Sequence, residues 1–425
     1  MRRRVAPPPG LRERNAVLAK LAPLVVYSNI FLVMLGLGAI GPNLTDIRRD
    51  FDVSYGAISW GVSAFALARL FTNLPAGVAA GRLSRVPLLM AGTLCVAAGG
   101  LAAAASNGLE LFLVARALQG VGSSISTTVG LTIVLDGAAP ERRGRASGTF
   151  HSALGGGALF GPGFGALLAE FGGWRAALVG TAVAASLSFA LLALVLRHVT
   201  TAPAAVQRSP ELAGAGGVRR PSLRTLVVGT GLVAYAAAFA IFFVRGGIQQ
   251  TLVPLMGREA IGLSVASLSL LLMASAALST LLGPSVGGLS DRFGRERVLL
   301  PGLVLLAAST SLLTMANSAP LFIAGVLLTS LAGTTFSIPS SMIVDAVDAS
   351  QRSAAIGVYR VVGDAAFTLA PFVSGFLVDG YGFAAAGFAS TAVVVAALIM
   401  GRKAAGARRR SAYSSERADE PASAA

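Results

Sequence analysis

Residues Ser353 to Val378 read SAAIGVYRVVGDAAFTLAPFVSGFLV, an apolar run in which Arg360 and Asp364 are the only charges. As a helix it would extend roughly 39 Å at 1.5 Å per residue, enough to cross about 30 Å of hydrocarbon. Charge at that depth is costly, and an ionisable side chain inside such a run marks a functional site by default. Arg360 and Asp364 stand four positions apart and so share one helix face.

The rest of the chain repeats this pattern. Hydrophobic residues make up 54% of the 425 positions and charged ones 12%, against roughly 25% charged in a soluble domain; mean hydropathy is +0.73. Runs long enough to span recur near Leu21 to Gly41, Ala57 to Ala80, Pro87 to Ala105, Leu111 to Leu135, Ala146 to Ala169 and Ala176 to Leu196. Six more lie near Thr225 to Met256, Ser264 to Gly287, Val298 to Ala316, Leu321 to Val344, Ser353 to Val378 and Phe383 to Met400. The ninth and tenth are divided only by the turn-like Asn317-Ser318-Ala319-Pro320. This predicts an all-α membrane protein of twelve transmembrane helices.

Charge placement sets the topology. Of the 34 Lys and Arg residues, Arg48, Arg49, Arg175 and Arg258 fall in one set of loops, Arg69, Arg116, Arg245 and Arg360 fall within spans, and the rest lie on the side of both termini. The positive-inside rule then puts both termini in the cytoplasm. The net charge of +15 is spread between apolar runs, which suits anionic lipid headgroups as partners and gives no compact basic domain for nucleic acid. The expected organisation is a basic tail over 1–20, a six-helix bundle over 21–197, a linker over 198–224, a second bundle over 225–402 and a disordered tail over 403–425. No apolar segment precedes Leu21, so no cleaved signal peptide is expected.

The two halves echo each other. Gly77, Arg82 and Arg85 recur as Gly287, Arg292 and Arg295, and Arg143, Gly148, Pro162 and Glu170 recur as Arg352, Gly357, Pro371 and Asp379, at spacings of 210 and 209 residues. A parallel repeat of two pseudo-symmetric six-helix bundles around a pathway follows.

At these residues the chain resembles the major facilitator superfamily, and within it the twelve-helix drug or metabolite:proton antiporters. Gly287-Gly288-Leu289-Ser290-Asp291-Arg292-Phe293-Gly294-Arg295 matches that family's loop motif G-x-L-x-D-R-x-G-R at every specified position. The first-half copy carries Gly81 and Ser84 where Asp and Gly are specified. Arg116-Ala117-Leu118-Gln119-Gly120-Val121-Gly122 resembles the family's R-x-x-Q-G-x-G, and Gly157 to Gly165, with Gly161 and Pro162, is similar to its exporter-associated motif apart from Ala166 in place of the last Gly. The resemblance implies a plasma-membrane transporter, in a bacterium the inner membrane, working by alternating access. It implies efflux by proton antiport, as in multidrug resistance, by a monomer that binds a small molecule and protons.

Physical readings run beside the resemblance. Gly157, Gly161 and Gly165 form a ridge without side chains, open to close approach by another helix. The resemblance turns that ridge toward a helix of the other half; ordinary small-residue helix packing is the alternative. Asp291 could latch onto the start of the fifth helix at Arg143 and Arg145. Arg69 and Asp364 lie at a common depth, roughly 18 to 20 Å from the cytoplasmic boundary, so Asp364 could exchange partners between Arg69 and Arg360 and couple proton uptake to rocking. A permanently ionised pair is the alternative. Arg116, Gln119, Arg245 and Gln249 are expected to line the pathway, where an excess of positive charge suits an anionic, zwitterionic or neutral polar substrate; alternatively Arg116 binds backbone carbonyls and Arg245 stabilises a broken helix. Helix 1 offers Ser28 and Asn29 in place of the acidic residue of many multidrug exporters. Uptake symport and a non-transporting sensor remain open. Neither H-E-x-x-H nor G-x-x-x-x-G-K-[ST] occurs, and Cys95 is the sole cysteine, so no enzyme, metal or other cofactor is implied.

Overall fold

The computed structural model describes residues 9–196, 230–347 and 351–418. The expected linker over 198–224 falls outside them, as do 1–8 and 419–425 of the tails. Among the described residues the regular elements are helices: α1 (Pro9–Ala39), α2 (Leu44–Asp50), α3 (Tyr55–Arg82), α4 (Arg85–Ala104), α5 (Leu109–Gly137) and α6 (Arg143–Leu196). In the second half follow α7 (Thr230–Val244), a π-helical stretch Arg245–Leu252, α8 (Val253–Glu259), α9 (Val265–Phe293) and α10 (Arg295–Thr314). Then come α11 (Ala319–Ala332), a 3-10 turn Gly333–Ser337, α12 (Ile338–Asp345) and α13 (Arg352–Ala418).

Local chemistry sets the ends. The Ser54 hydroxyl accepts from the Ala57 amide at 3.2 Å and caps α3. The charge-free run from Val298 to Val344 breaks where its turn residues stand, with α11 starting behind Ser318 and Pro320 in its first turn. α6 and α13, at 54 and 67 residues, exceed any bilayer, and each is interrupted by glycine. Gly173 (φ 66°) and Gly382 (φ 80°) adopt a left-handed backbone that a side chain would oppose. Among the described residues ten apolar stretches are long enough to cross a membrane, and α6 and α13 are each long enough for a pair of crossings, in line with the twelve expected. The final helix continues to Ala418 and the first begins at Pro9, so the chain is helical over 9–20 of the basic tail and over 403–418, where a disordered tail was expected.

Two compact units form. The first is Met1–Val218 with Pro254–Ala276, and the second is Arg219–Val253 with Ala277–Ala425. The first unit thus takes in a segment that the repeat assigns to the second half. In that unit α1 lies along α6, and the glycine ridge is the reason. A Cβ on Gly157, Gly161 or Gly165 would come within 2.3, 2.6 and 2.3 Å of the carbonyl oxygens of Phe31, Leu35 and Ala39. The ridge therefore receives α1 of its own bundle, not a helix of the other half, because only bare backbone allows two helices this near. On another face of α6, a Cβ on Gly163 would meet Met273 Sδ at 2.5 Å. Val26, Ile30, Leu89, Val129, Phe150 and Leu192 fill the interior of this unit.

In the second unit α13 packs on α7 and the π-helical stretch, where a Cβ on Gly246 would sit 2.7 Å from the Phe367 carbonyl. Phe243, Ala366 and Ala370 form the apolar contact there. On the outside of the units, Phe71, Leu74, Leu270 and Leu281 are exposed, as suits helices whose solvent is lipid.

Candidate functional site

The ionisable residues inside the first unit are tied to their neighbours. Arg116 is 1% exposed on α5. Its Nε donates to the Gly61 carbonyl at 3.1 Å, its Nη1 donates to Gln119 Oε1 at 2.5 Å, and the Phe65 ring lies 4.8 Å away. Arg116 and Gln119 are thus interior braces between α3 and α5, and not surface groups of the bundle. That geometry matches the carbonyl-binding reading. Arg69, half-buried, donates to Ser123 Oγ at 2.9 Å. Asn29 of α1 is buried and its amide donates to Thr93 and Ser188, both at 2.8 Å; this polar group holds three helices together.

A charge cluster that the sequence reading used only for topology lies at the α2 end of this unit. Arg48 grips Glu259 through two bonds, Nε to Oε1 at 3.0 Å and Nη2 to Oε2 at 3.1 Å. The Tyr55 hydroxyl donates to the same carboxylate, and its ring sits 4.5 Å from the Arg48 guanidinium. Arg258 donates to Asp46 Oδ1 at 3.1 Å. Arg175 pairs with Asp50 at 2.5 Å and donates to the Ser106 carbonyl. Short segments that carry opposite charges close together, Asp46 with Arg48 and Arg258 with Glu259, were the available signal. These pairs, together with Gly41 against Pro254 and Leu272, hold Pro254–Ala276 in the first unit.

The second unit holds Arg245, Gln249, Arg360 and Asp364. Arg245 opens the π-helical stretch and is exposed on the unit's surface between buried neighbours Val244 and Gly246. Phe336 lies 5.7 Å from its guanidinium. Phe242 meets Phe336 and Tyr359 edge-on at 6.5 and 6.0 Å. Gln249 is half-buried near Gly333. On α13, Arg360 is exposed and Asp364 half-buried, with Thr368 Oγ1 bonded to the Asp364 carbonyl at 2.7 Å.

At the loop between α9 and α10, Gly294 turns the chain at φ 99°. Arg295 pairs with Asp291 one turn back, donates to Asp345 Oδ2 at 3.1 Å and to Ser290 Oγ at 3.2 Å. Arg292 lies 5.5 Å from the Phe293 ring, and Gly287 has open space about it. The first half repeats this arrangement: Arg85 pairs with Asp136 and donates to the Ala80 carbonyl at 3.1 Å. Asp136 and Asp345 were missed in the sequence, although they stand 209 residues apart, in step with the repeat.

Two helical bundles with internal glycine contacts, a repeated charged loop and ionisable groups within apolar helices define a multi-pass membrane protein. The Major Facilitator Superfamily pattern matches residues 26–257 and 234–423, and the chain belongs to that family. It is 32% identical over 192 residues to the MFS-type transporter ppzB of Metarhizium rileyi, covering 44% of this chain and 39% of that one. To Multidrug resistance protein 2 of Bacillus subtilis it is 28% identical over 149 residues, 35% of this chain and 37% of the relative. These matches span well under half the length of either relative. A bacterial homologue of the human lysosomal transporter Spinster shares the fold, with a TM-score of 0.73 at 16% identity over 92% of this chain and 97% of the other.

Proposed function

We propose that this protein exports a small organic molecule in exchange for protons, by alternating access of its two six-helix repeats, with both termini in the cytoplasm of a bacterial cell. The observation that carries the reading is Asp364, a half-buried carboxylate well inside a span with Arg360 one turn away. A carboxyl group there gains a proton when a guanidinium leaves it and loses the proton when one returns. Arg69 is the partner we assign to the other state. The multidrug resistance relative supports export, and the paired charges at the α2 end supply contacts that alternating access would make and break. Asp291, held by Arg295, would exchange that partner for Arg143 or Arg145 as the other end closes.

Flux in proteoliposomes tests the reading. Under an imposed proton gradient, substrate should move against the protons, and Asp364→Asn should abolish coupled movement while keeping the helical circular dichroism of the parent. Normal proton-driven flux in Asp364→Asn removes Asp364 from the mechanism. Movement in the same direction as the protons replaces export by uptake.

A further inference from the structure

Arg245 lies midway along the span Gly231–Glu259, fourteen residues from either end, which is roughly 21 Å in a helix. That span is the most buried of the ten, yet the Arg245 side chain is exposed on the surface of its unit. Among the described residues it makes no ion pair or hydrogen bond, and its neighbour is the Phe336 ring at 5.7 Å. A guanidinium at mid-membrane cannot rest against acyl chains at acceptable cost, so this face lines water. The surroundings are aromatic and held in place. Phe336, itself 43% exposed, sits on the 3-10 turn. Its carbonyl accepts from the Tyr359 hydroxyl at 3.3 Å, and Phe242 packs edge-on against both rings. Gln249, one turn beyond Arg245, adds an amide that can donate and accept. The stretch that carries both residues is π-helical, a form frequent at functional sites.

We propose that Arg245, Phe336 and Gln249 form a binding subsite for a planar aromatic carboxylate. The carboxylate pairs with the free guanidinium through two parallel N–H···O bonds, the ring system lies on Phe336, and Gln249 bonds a polar ring substituent. The proposal rests on the transporter reading and names the substrate class for it.

The test is equilibrium binding of 1-naphthoate, of 2-naphthol as a neutral analogue and of ethidium as a cation to the purified full-length protein in nanodiscs. Naphthoate should bind more tightly than either comparator. Arg245→Gln should weaken naphthoate at least ten-fold and leave naphthol unchanged, Arg245→Lys should lie between, and Phe336→Leu should weaken both naphthalenes several-fold. Phe336→Leu, a surface change, still tests the subsite if Arg245→Gln fails to fold. Absence of naphthoate binding, preference for ethidium, or indifference of naphthoate to both substitutions overturns the subsite. Arg245-dependent binding without flux keeps the subsite and sinks the exporter; proton-driven flux with Arg245-independent binding does the reverse.

Discussion

The α2 end and the motif-loop end of the molecule use the same residue types in opposite ways. At the α2 end, Asp46 with Arg258 and Arg48 with Glu259 join positions 212 and 211 residues apart. At the motif loops the pairs stay inside one repeat: Arg85 with Asp136 spans 51 residues, Arg295 with Asp345 spans 50 and Arg295 with Asp291 spans four. Exposure separates them as well. The Glu259 side chain is 11% exposed, whereas Asp136, Asp291 and Asp345 are all more than half exposed. Enclosed pairs between distant segments fasten one segment to another; solvated pairs between neighbouring turns shape a loop.

Removal of one enclosed partner should have the largest effect. Glu259→Ala leaves Arg48 without its carboxylate, at a cost of about 2 kcal/mol. Hydrogen exchange across Pro254–Ala276 should then accelerate about thirty-fold, and the Arg48→Glu, Glu259→Arg double variant should recover part of the protection. Unchanged exchange in Glu259→Ala would erase the distinction between the two ends. Arg295→Ala removes two exposed pairs and should cost about 1 kcal/mol or less in thermal stability. Raising salt from 0.1 to 1 M should mimic that loss at the motif loop and spare the α2 end, since the screening length falls from about 10 to about 3 Å. Gly294→Ala puts a side chain at φ 99° and should cost about 1 kcal/mol, comparable with Arg295→Ala and read as a lower midpoint of thermal unfolding.

The fold was legible because hydrocarbon imposes one rule on sequence, and the runs from Leu21 to Met400 obey it. The π-helical turn at Arg245 was not, since it arises from the close approach of Gly246 and Gly247 to α13, a tertiary contact. Nor was the destination of the glycine ridge: spacing at Gly157, Gly161 and Gly165 reveals a bare face and says nothing of which helix covers it. Arg116 and Arg245 look alike in sequence, as lone arginines in apolar spans. Structure separates them, because Gly61 and Gln119 accept hydrogen bonds from the first, whereas the second faces an aromatic ring and makes no hydrogen bond or ion pair among the described residues. The cluster of Asp46, Arg48, Arg258 and Glu259 escaped notice because its members belong to two short helices in different halves, and periodicity along one helix says nothing of a partner 211 or 212 residues away.

The abrupt reversals at Gly173 and Gly382 bear on how the chain enters a bilayer. With one or two residues between successive crossings, there is no slack for the first helix to settle while the second waits in water. Each such pair must be threaded in together as a hairpin, so its two helices are committed to the membrane in a single step of biogenesis.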